Sequence, residues 1–124
     1  MSQDIVADAL NKIMNGKRSR KESVVVNRFS KLLLGVLDIA KKEGYIRDYK
    51  INKTALEIQI RELNECRAIK PRFNVTNSEI IKYMKRYLPT KDMGVIIIST
   101  NKGLITHSEA LEQNIGGCLI AYFY

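Results

Sequence analysis

The chain has no tryptophan, two prolines, two cysteines, one histidine and thirteen acidic residues among 124. Each scarcity removes something. Cys66 and Cys118 lie far apart and in no C-x-x-C pattern, and His107 alone does not complete a zinc site with them. They read as partly buried free thiols in a reducing cytosol. The longest aliphatic stretch, Val95-Ile96-Ile97-Ile98, is strand-sized, far short of the roughly 20 residues that cross a bilayer. Met1-Ser2-Gln3-Asp4 has neither the basic start nor the apolar run of a signal peptide, and it lacks the arginines of a transit peptide. No G-x-x-x-x-G-K-[ST], G-x-G-x-x-G or H-E-x-x-H occurs. No cofactor, metal, membrane or small-molecule substrate is therefore expected.

The shortage of acids is itself informative. Twenty-one lysines and arginines leave a net charge of +8 and a pI near 9.6. A small domain this basic usually meets a polyanion, and nucleic acid is the commonest one. Hydrophobic residues make up 45%, too many for a disordered tail.

The first half reads α-β-α-β-β. Ile5, Val6, Ala9, Leu10 and Ile13 recur with helical period, with Asp4 and Asp8 near the positive end and Asn15-Gly16 as a stop. A basic loop, Lys17-Arg18-x-Arg20-Lys21, precedes the β-branched run Ser23 to Val26. Ser30 fits an N-cap for a helix with the stripe Leu32, Leu33, Val36, Leu37 and Ala40. Tyr45 to Tyr49 and Leu56 to Ile60 read as strands joined by a turn at Asn52-Lys53.

The second half has different grammar. Ala68 to Val75 looks extended, with Pro71 marking an edge or irregular strand. Ser78 is placed to cap a helix ending at Leu88-Pro89. Val95 to Ile98 is a strand, Ser99 to Gly103 a loop and Leu104-Ile105 a brief strand. Thr106-x-x-Glu109 is a capping-box pattern. Gly116-Gly117 breaks that helix before a last strand, Cys118 to Tyr124. Two α+β subdomains, 1–63 and 64–124, are expected, with no polar linker between them.

Catalysis finds little support. A hydrolase would need His107 within reach of Ser99 or Thr100, and nothing in the spacing requires it. His107 reads instead as an exposed or capping-region residue, and no enzyme is expected. The basic groups offer more. Lys17, Arg18, Arg20 and Lys21 are placed to neutralise phosphates; the competing reading, a solvated loop, leaves the net charge unexplained. Lys82, Lys85, Arg86 and Lys91 interleave with Tyr83 and Tyr87. Both RNA contact and a core-facing tyrosine stripe fit that pattern. After the apolar strand, Ser99 and Thr100 bring short hydroxyls and Gly103 allows a tight turn, which suits close hydrogen-bonded approach to RNA.

These last residues carry a resemblance. Gly94-Val-Ile-Ile-Ile-Ser-Thr-Asn-Lys-Gly-Leu-Ile-Thr106, with Ala110 and Ile115-Gly-Gly117, resembles the C-terminal signature of the small-subunit ribosomal protein eight family. Asp4-x-x-x-Asp8-Ala-Leu-Asn-x-Ile13-x-Asn15, Ser30-Lys31 and Glu43-Gly-Tyr-Ile46 are similar to its N-terminal half. Leu63-Asn-x-Cys66-x-Ala-Ile-Lys-Pro-Arg-Phe73 and Arg86-Tyr-Leu-Pro89-x-x-Asp92 are similar to the archaeal and eukaryotic branch. Asn101 stands where the bacterial loop has serine. The resemblance implies two α+β subdomains packed in layers. It implies a structural protein of the small ribosomal subunit, cytoplasmic, bound to a central-domain helix of small-subunit rRNA and to neighbouring small-subunit proteins, and supporting platform assembly. The alternative is a non-ribosomal RNA-binding or regulatory module of the same fold. The resemblance puts RNA contacts at Ser99, Thr100, Asn101, Lys102 and Gly103 and at Gly116 and Gly117, with Lys17, Arg18, Arg20, Lys21, Ser30 and Lys31 as further contacts.

Overall fold

Alternation of helical and strand periods along the chain yields an α+β fold. A computed structural model describes residues 5–69, 72–90 and 93–124. The expectations placed on Asp4, Pro71, Lys91 and Asp92 lie outside the described residues. The elements are α1 Ile5–Arg18, β1 Ser23–Val26, α2 Lys31–Lys42, β2 Ile46–Asn52, β3 Ala55–Ile60, β4 Cys66–Ala68, β5 Asn74–Val75, α3 Asn77–Tyr87, β6 Val95–Thr100, β7 Gly103–Thr106, α4 His107–Gln113 and β8 Gly117–Phe123. The chain divides into two compact units, meeting at Arg67 and Ala68.

In the first unit an antiparallel sheet of order β1-β3-β2 carries α1 and α2. Their apolar stripes bury Leu10, Ile13, Leu33 and Leu37 completely, together with Leu56 and Ile58 of β3. Full burial of such a side chain contributes roughly 1.5–3 kcal/mol each. Ser30 caps α2 as expected, its hydroxyl accepting the Leu33 N–H at 3.2 Å. The β2–β3 turn falls one residue later than expected, on Lys53-Thr54, with Lys53 at φ 59°.

Asn15-Gly16 does not stop α1, which continues for half a turn to Arg18. Gly16 is buried inside the helix, and a Cβ there would sit 2.3 Å from Val24 Cγ1. The glycine is there because β1 crosses the helix closely. A glycine chosen for a neighbour's approach looks, in one dimension, like a helix terminator.

The second sheet runs β4-β8-β6-β7, with β5 also pairing β8; all its strands but β4, which spans the boundary, lie in the second unit. Ile98 lies between Ile105 and Leu119, and this row packs under Ile80 of α3 and Ala110 of α4. Thr76, rather than Ser78, is the N-cap of α3; its N–H donates to Glu79 Oε1 at 2.9 Å. Thr106 caps α4 as its motif requires, accepting the Glu109 N–H at 3.3 Å. Asn77 Nδ2 donates to the carbonyls of Ala110 and Ile115, which ties the start of α3 to the end of α4.

Gly16→Ala tests the crossing. Helix propensity alone favours alanine by about 1 kcal/mol, yet overpacking against Val24 costs roughly 1–3 kcal/mol. Chemical denaturation should show net destabilisation, reversed when Val24→Ala is added; a more stable single variant would contradict the packing account.

Candidate nucleic-acid interface

The expected five-residue loop is shorter than the sequence suggests. Ser99 and Thr100 are the last residues of β6, and Gly103 is the first of β7. Only Asn101 and Lys102 form the turn. Thr100 pairs with Gly103, whose φ is +106°. Nothing lies within 4 Å of a Cβ built on Gly103, so positive φ, not crowding, selects glycine there. The Thr100 hydroxyl is committed to this turn: it donates to the Gly103 carbonyl at 2.9 Å and accepts the Lys102 N–H at 3.1 Å.

Ser99 differs. Strand alternation turns it away from the core row of Ile98. Its cross-strand partners are Cys118 on one side and Leu104 on the other, and Cys118 is paired in turn with Asn74. Directly opposed residues share a face. Asn74, Cys118, Ser99 and Leu104 therefore form one row across four strands, roughly 14 Å wide at about 4.8 Å per strand. All four are partly or fully exposed, and none is long or charged. Among the described residues the Ser99 hydroxyl has no hydrogen-bond partner. Sequence reasoning found Ser99 and missed its neighbours; the register that aligns them is a property of the folded sheet.

Gly116 and Gly117 leave space, and the chain itself fills it. A Cβ on Gly117 would lie 2.4 Å from the Ser99 carbonyl oxygen and 3.0 Å from Thr100 Cγ2. One on Gly116 would lie 2.3 Å from the Val75 carbonyl oxygen. The two glycines let β8 close on β6 and on the β5–α3 junction.

The other predicted cations belong to the first unit. Lys17 and Arg18 are the last residues of α1, where cations also complement the helix dipole. Lys17 Nζ donates to the Asn64 carbonyl at 3.0 Å. The expected loop is a Schellman helix end: the Arg20 N–H donates to the Lys17 carbonyl at 3.0 Å and the Lys21 N–H to that of Gly16 at 2.8 Å. Arg20 occupies the left-handed position, φ 60°, where glycine is preferred. Arg18, Arg20 and Lys21 are exposed. Ser30 is occupied as a cap, and exposed Lys31 lies in the first turn of α2, where the dipole disfavours a cation. Arg20 and Lys31 thus hold charge where stability alone would not put it.

His107 is the first residue of α4 behind its cap Thr106, within the expected capping region, but it is buried, 4% exposed, rather than exposed. It packs beneath the start of α4, and its Nδ1 accepts the Ile96 N–H at 3.1 Å. Among the described residues no hydrogen bond joins it to Ser99 or Thr100, so no nucleophile–base pair exists there. Burial lowers its pKa from the ordinary 6.5. Among the described residues no group of His, Cys, Asp and Glu is arranged to hold a metal ion, and no helix is long and apolar enough to cross a membrane.

Comparison with known proteins decides the family. The model of the family described as ribosomal protein S8 matches residues 4–124. The chain belongs to the ribosomal protein S8 family. It is 46% identical to the small ribosomal subunit protein uS8 of Nanoarchaeum equitans, over 129 aligned residues and 100% of both chains. It is 37% identical to the protein of the same name from Metallosphaera sedula, over 96% of each, and 34% identical to uS8A of Schizosaccharomyces pombe, over 98% of each. The resemblance to the archaeal and eukaryotic branch is matched by these relatives. S8 proteins are structural components of the ribosome, not enzymes.

Two predictions follow from these positions. Arg20→Gly should stabilise the isolated chain by about 1 kcal/mol, because the left-handed position then costs nothing; calorimetry checks this, and a lower melting temperature would contradict the helix-end assignment. For His107 the unfolded chain takes up a proton below about pH 6.5 while the folded chain resists it. Stability should be fully present above that pH and fall as the pH drops toward the lowered folded value. Urea titrations from pH 7.5 to about 5 should show the loss, and His107→Gln should flatten it.

Proposed function

We propose that this S8-family chain is a structural constituent of the small ribosomal subunit that binds a central-domain helix of small-subunit rRNA and supports platform assembly. It acts in the cytoplasm beside neighbouring small-subunit proteins. The observation that carries the reading is the row around Ser99. An unspent hydroxyl sits in a neutral, partly exposed row at the end of β6, beside an exposed turn with Asn101 and Lys102. Such a surface suits the wide, shallow minor groove of an RNA helix, where shape and 2′-hydroxyls are read. Ser99 and Asn101 supply hydrogen bonds to sugar and base edges; Gly103 keeps the turn tight; Gly116 and Gly117 hold β8 close enough for the row to form. Lys102, with Lys17, Arg18, Arg20, Lys21 and Lys31, supplies phosphate attraction that carries no sequence information. The Ser30 hydroxyl, used as a cap, acts by orienting Lys31.

The structure separates two hydroxyls that the sequence treats alike. Ser99→Ala should weaken binding to the cognate helix by about 1 kcal/mol, roughly fivefold, with melting temperature and salt slope unchanged. Thr100→Ala should lower the melting temperature, because it removes two bonds from the turn. Arg20→Gln or Lys31→Gln should each reduce the slope of log affinity against log salt by somewhat less than one, and should weaken cognate and scrambled RNA alike. Filter binding at several salt concentrations measures all of these. Wild-type affinity in Ser99→Ala would remove the specific contact, and a flat salt dependence would remove the phosphate role.

A further inference from the structure

The contacts around Ser99 leave the basic and aromatic stretch of α3 unused. Lys82 and Arg86 are four residues apart, as are Tyr83 and Tyr87, so each pair shares a face one turn apart. Each cation lies over the ring of the tyrosine that follows it, at 5.7 and 5.6 Å. The rings belong to a series, Phe73–Tyr83–Tyr87–Tyr122–Tyr124, with successive centroids 5.0 to 6.3 Å apart, packed on the core of the second unit. The core-facing tyrosine stripe is therefore real, and it holds the cations in place at the surface.

Two cations and two hydroxyls along this ridge have no counterpart. Lys82 and Arg86 are exposed, and among the described residues no ion pair engages them. Among the same residues the Tyr83 and Tyr87 hydroxyls have no hydrogen-bond partner; no buried side-chain oxygen lacks one, so both reach solvent. Glu79, the acid of the helix, is turned back to Thr76, accepting its N–H at 2.9 Å and its hydroxyl at 3.0 Å. From Ile80 to Tyr87 there is no acid.

These groups fit an RNA backbone. Lysine, arginine and tyrosine side chains all bind phosphate and sugar. Cations already restrained over a ring lose less freedom on binding. A base finds no free platform, because each ring is taken by its cation and the neighbouring rings. A protein partner needs an apolar anchor, and the ridge offers none. Ile81, 51% exposed, stands two residues before Tyr83, and Met84 two before Arg86, so both point to other sides of the helix. The helix packs on the sheet face of Ile96, Ile98 and Tyr122, opposite the face on which the Ser99 hydroxyl emerges.

We propose that the ridge Lys82–Tyr83–Arg86–Tyr87 grips the sugar–phosphate backbone of a second RNA segment, so that one chain holds two RNA segments on opposite faces of its second unit. The ridge shares no residue with the Ser99 row, and the two contacts fail separately.

The test uses the full chain, biotinylated at its N-terminus and immobilised, with a short fluorescein-labelled RNA duplex of mixed sequence as the probe. Binding is measured alone and with a saturating unlabelled central-domain helix of small-subunit rRNA. The probe should bind in both cases. With the helix present, Lys82→Gln and Arg86→Gln together should weaken probe binding about tenfold and lower its salt slope by a little under two. Tyr83→Phe with Tyr87→Phe should weaken it about fivefold. Affinity for the central-domain helix and melting temperature should stay at wild-type values, because glutamine is a comparable helix former and phenylalanine keeps the rings. Lys12→Gln with Lys42→Gln removes the same charge from exposed sites elsewhere and should change probe binding less than about twofold. If the central-domain helix itself did not bind, the Ser99 reading would fail, and the variants would still test the ridge with the probe alone. Exclusion of the probe by the central-domain helix, undiminished binding in either α3 variant, or an equal loss in the Lys12 and Lys42 control would each overturn the proposal. So would polyglutamate that displaced the probe as well as unlabelled duplex does; that result would assign the ridge to an acidic protein.

Discussion

Everything at the candidate interface depends on how closely β8 can approach β6. At Gly117 the approach excludes even a methyl group, since the carbonyl of Ser99 occupies the space. This contact sets the register Ser99↔Cys118 and, through it, the face on which the Ser99 hydroxyl emerges. A side chain at Gly117 would have to push the strands apart or shift the pairing, and a one-residue shift would turn Ser99 to the opposite face of the sheet. Gly116 applies the same constraint one residue earlier, against the carbonyl of Val75. On the proposed reading, the two glycines serve the interface by letting β8 close on β6 and on the β5–α3 junction.

Two kinds of residue then divide the work. The row Asn74–Cys118–Ser99–Leu104 is neutral, short and held by strand pairing on both sides of Ser99. A rigid neutral row discriminates by shape and hydrogen bonding, because it has no long side chains to adapt. The cations at the end of α1 and the start of α2 are exposed, and two of them occupy positions that cost the fold something: Arg20 in the left-handed region and Lys31 at the positive end of a helix. Net charge of +8 attracts any polyanion. On the proposed reading, the neutral row selects among them.

Much of the fold was legible because periodicity is local. The stripes Leu10–Ile13 and Leu33–Leu37, the alternation Leu56–Ile58–Ile60 and the caps at Ser30 and Thr106 each depend on residues a few positions apart. The errors came where a distant segment decides. Gly16 looked like a helix end because the sequence does not show Val24 pressing on it. The place of His107 at the start of α4 was legible, but its burial was not, because the N–H of Ile96, which its ring accepts, is supplied by a neighbouring strand. Ser99 and Thr100 looked equivalent, yet one hydroxyl closes the turn and the other faces outward; only strand register separates them. Asn74 and Cys118 carried no signal, since their place beside Ser99 exists only in the folded sheet.

The central claim is that RNA meets the row around Ser99. Its most direct test is amide chemical-shift mapping of the isotopically labelled chain, titrated with a central-domain helix of small-subunit rRNA. The account predicts the largest changes at Asn74, Ser99, Asn101, Lys102, Leu104 and Cys118, with smaller ones from Arg18 to Lys21. Changes confined to α3 or to the basic end of α1, with Ser99, Leu104 and Cys118 unmoved, would contradict it.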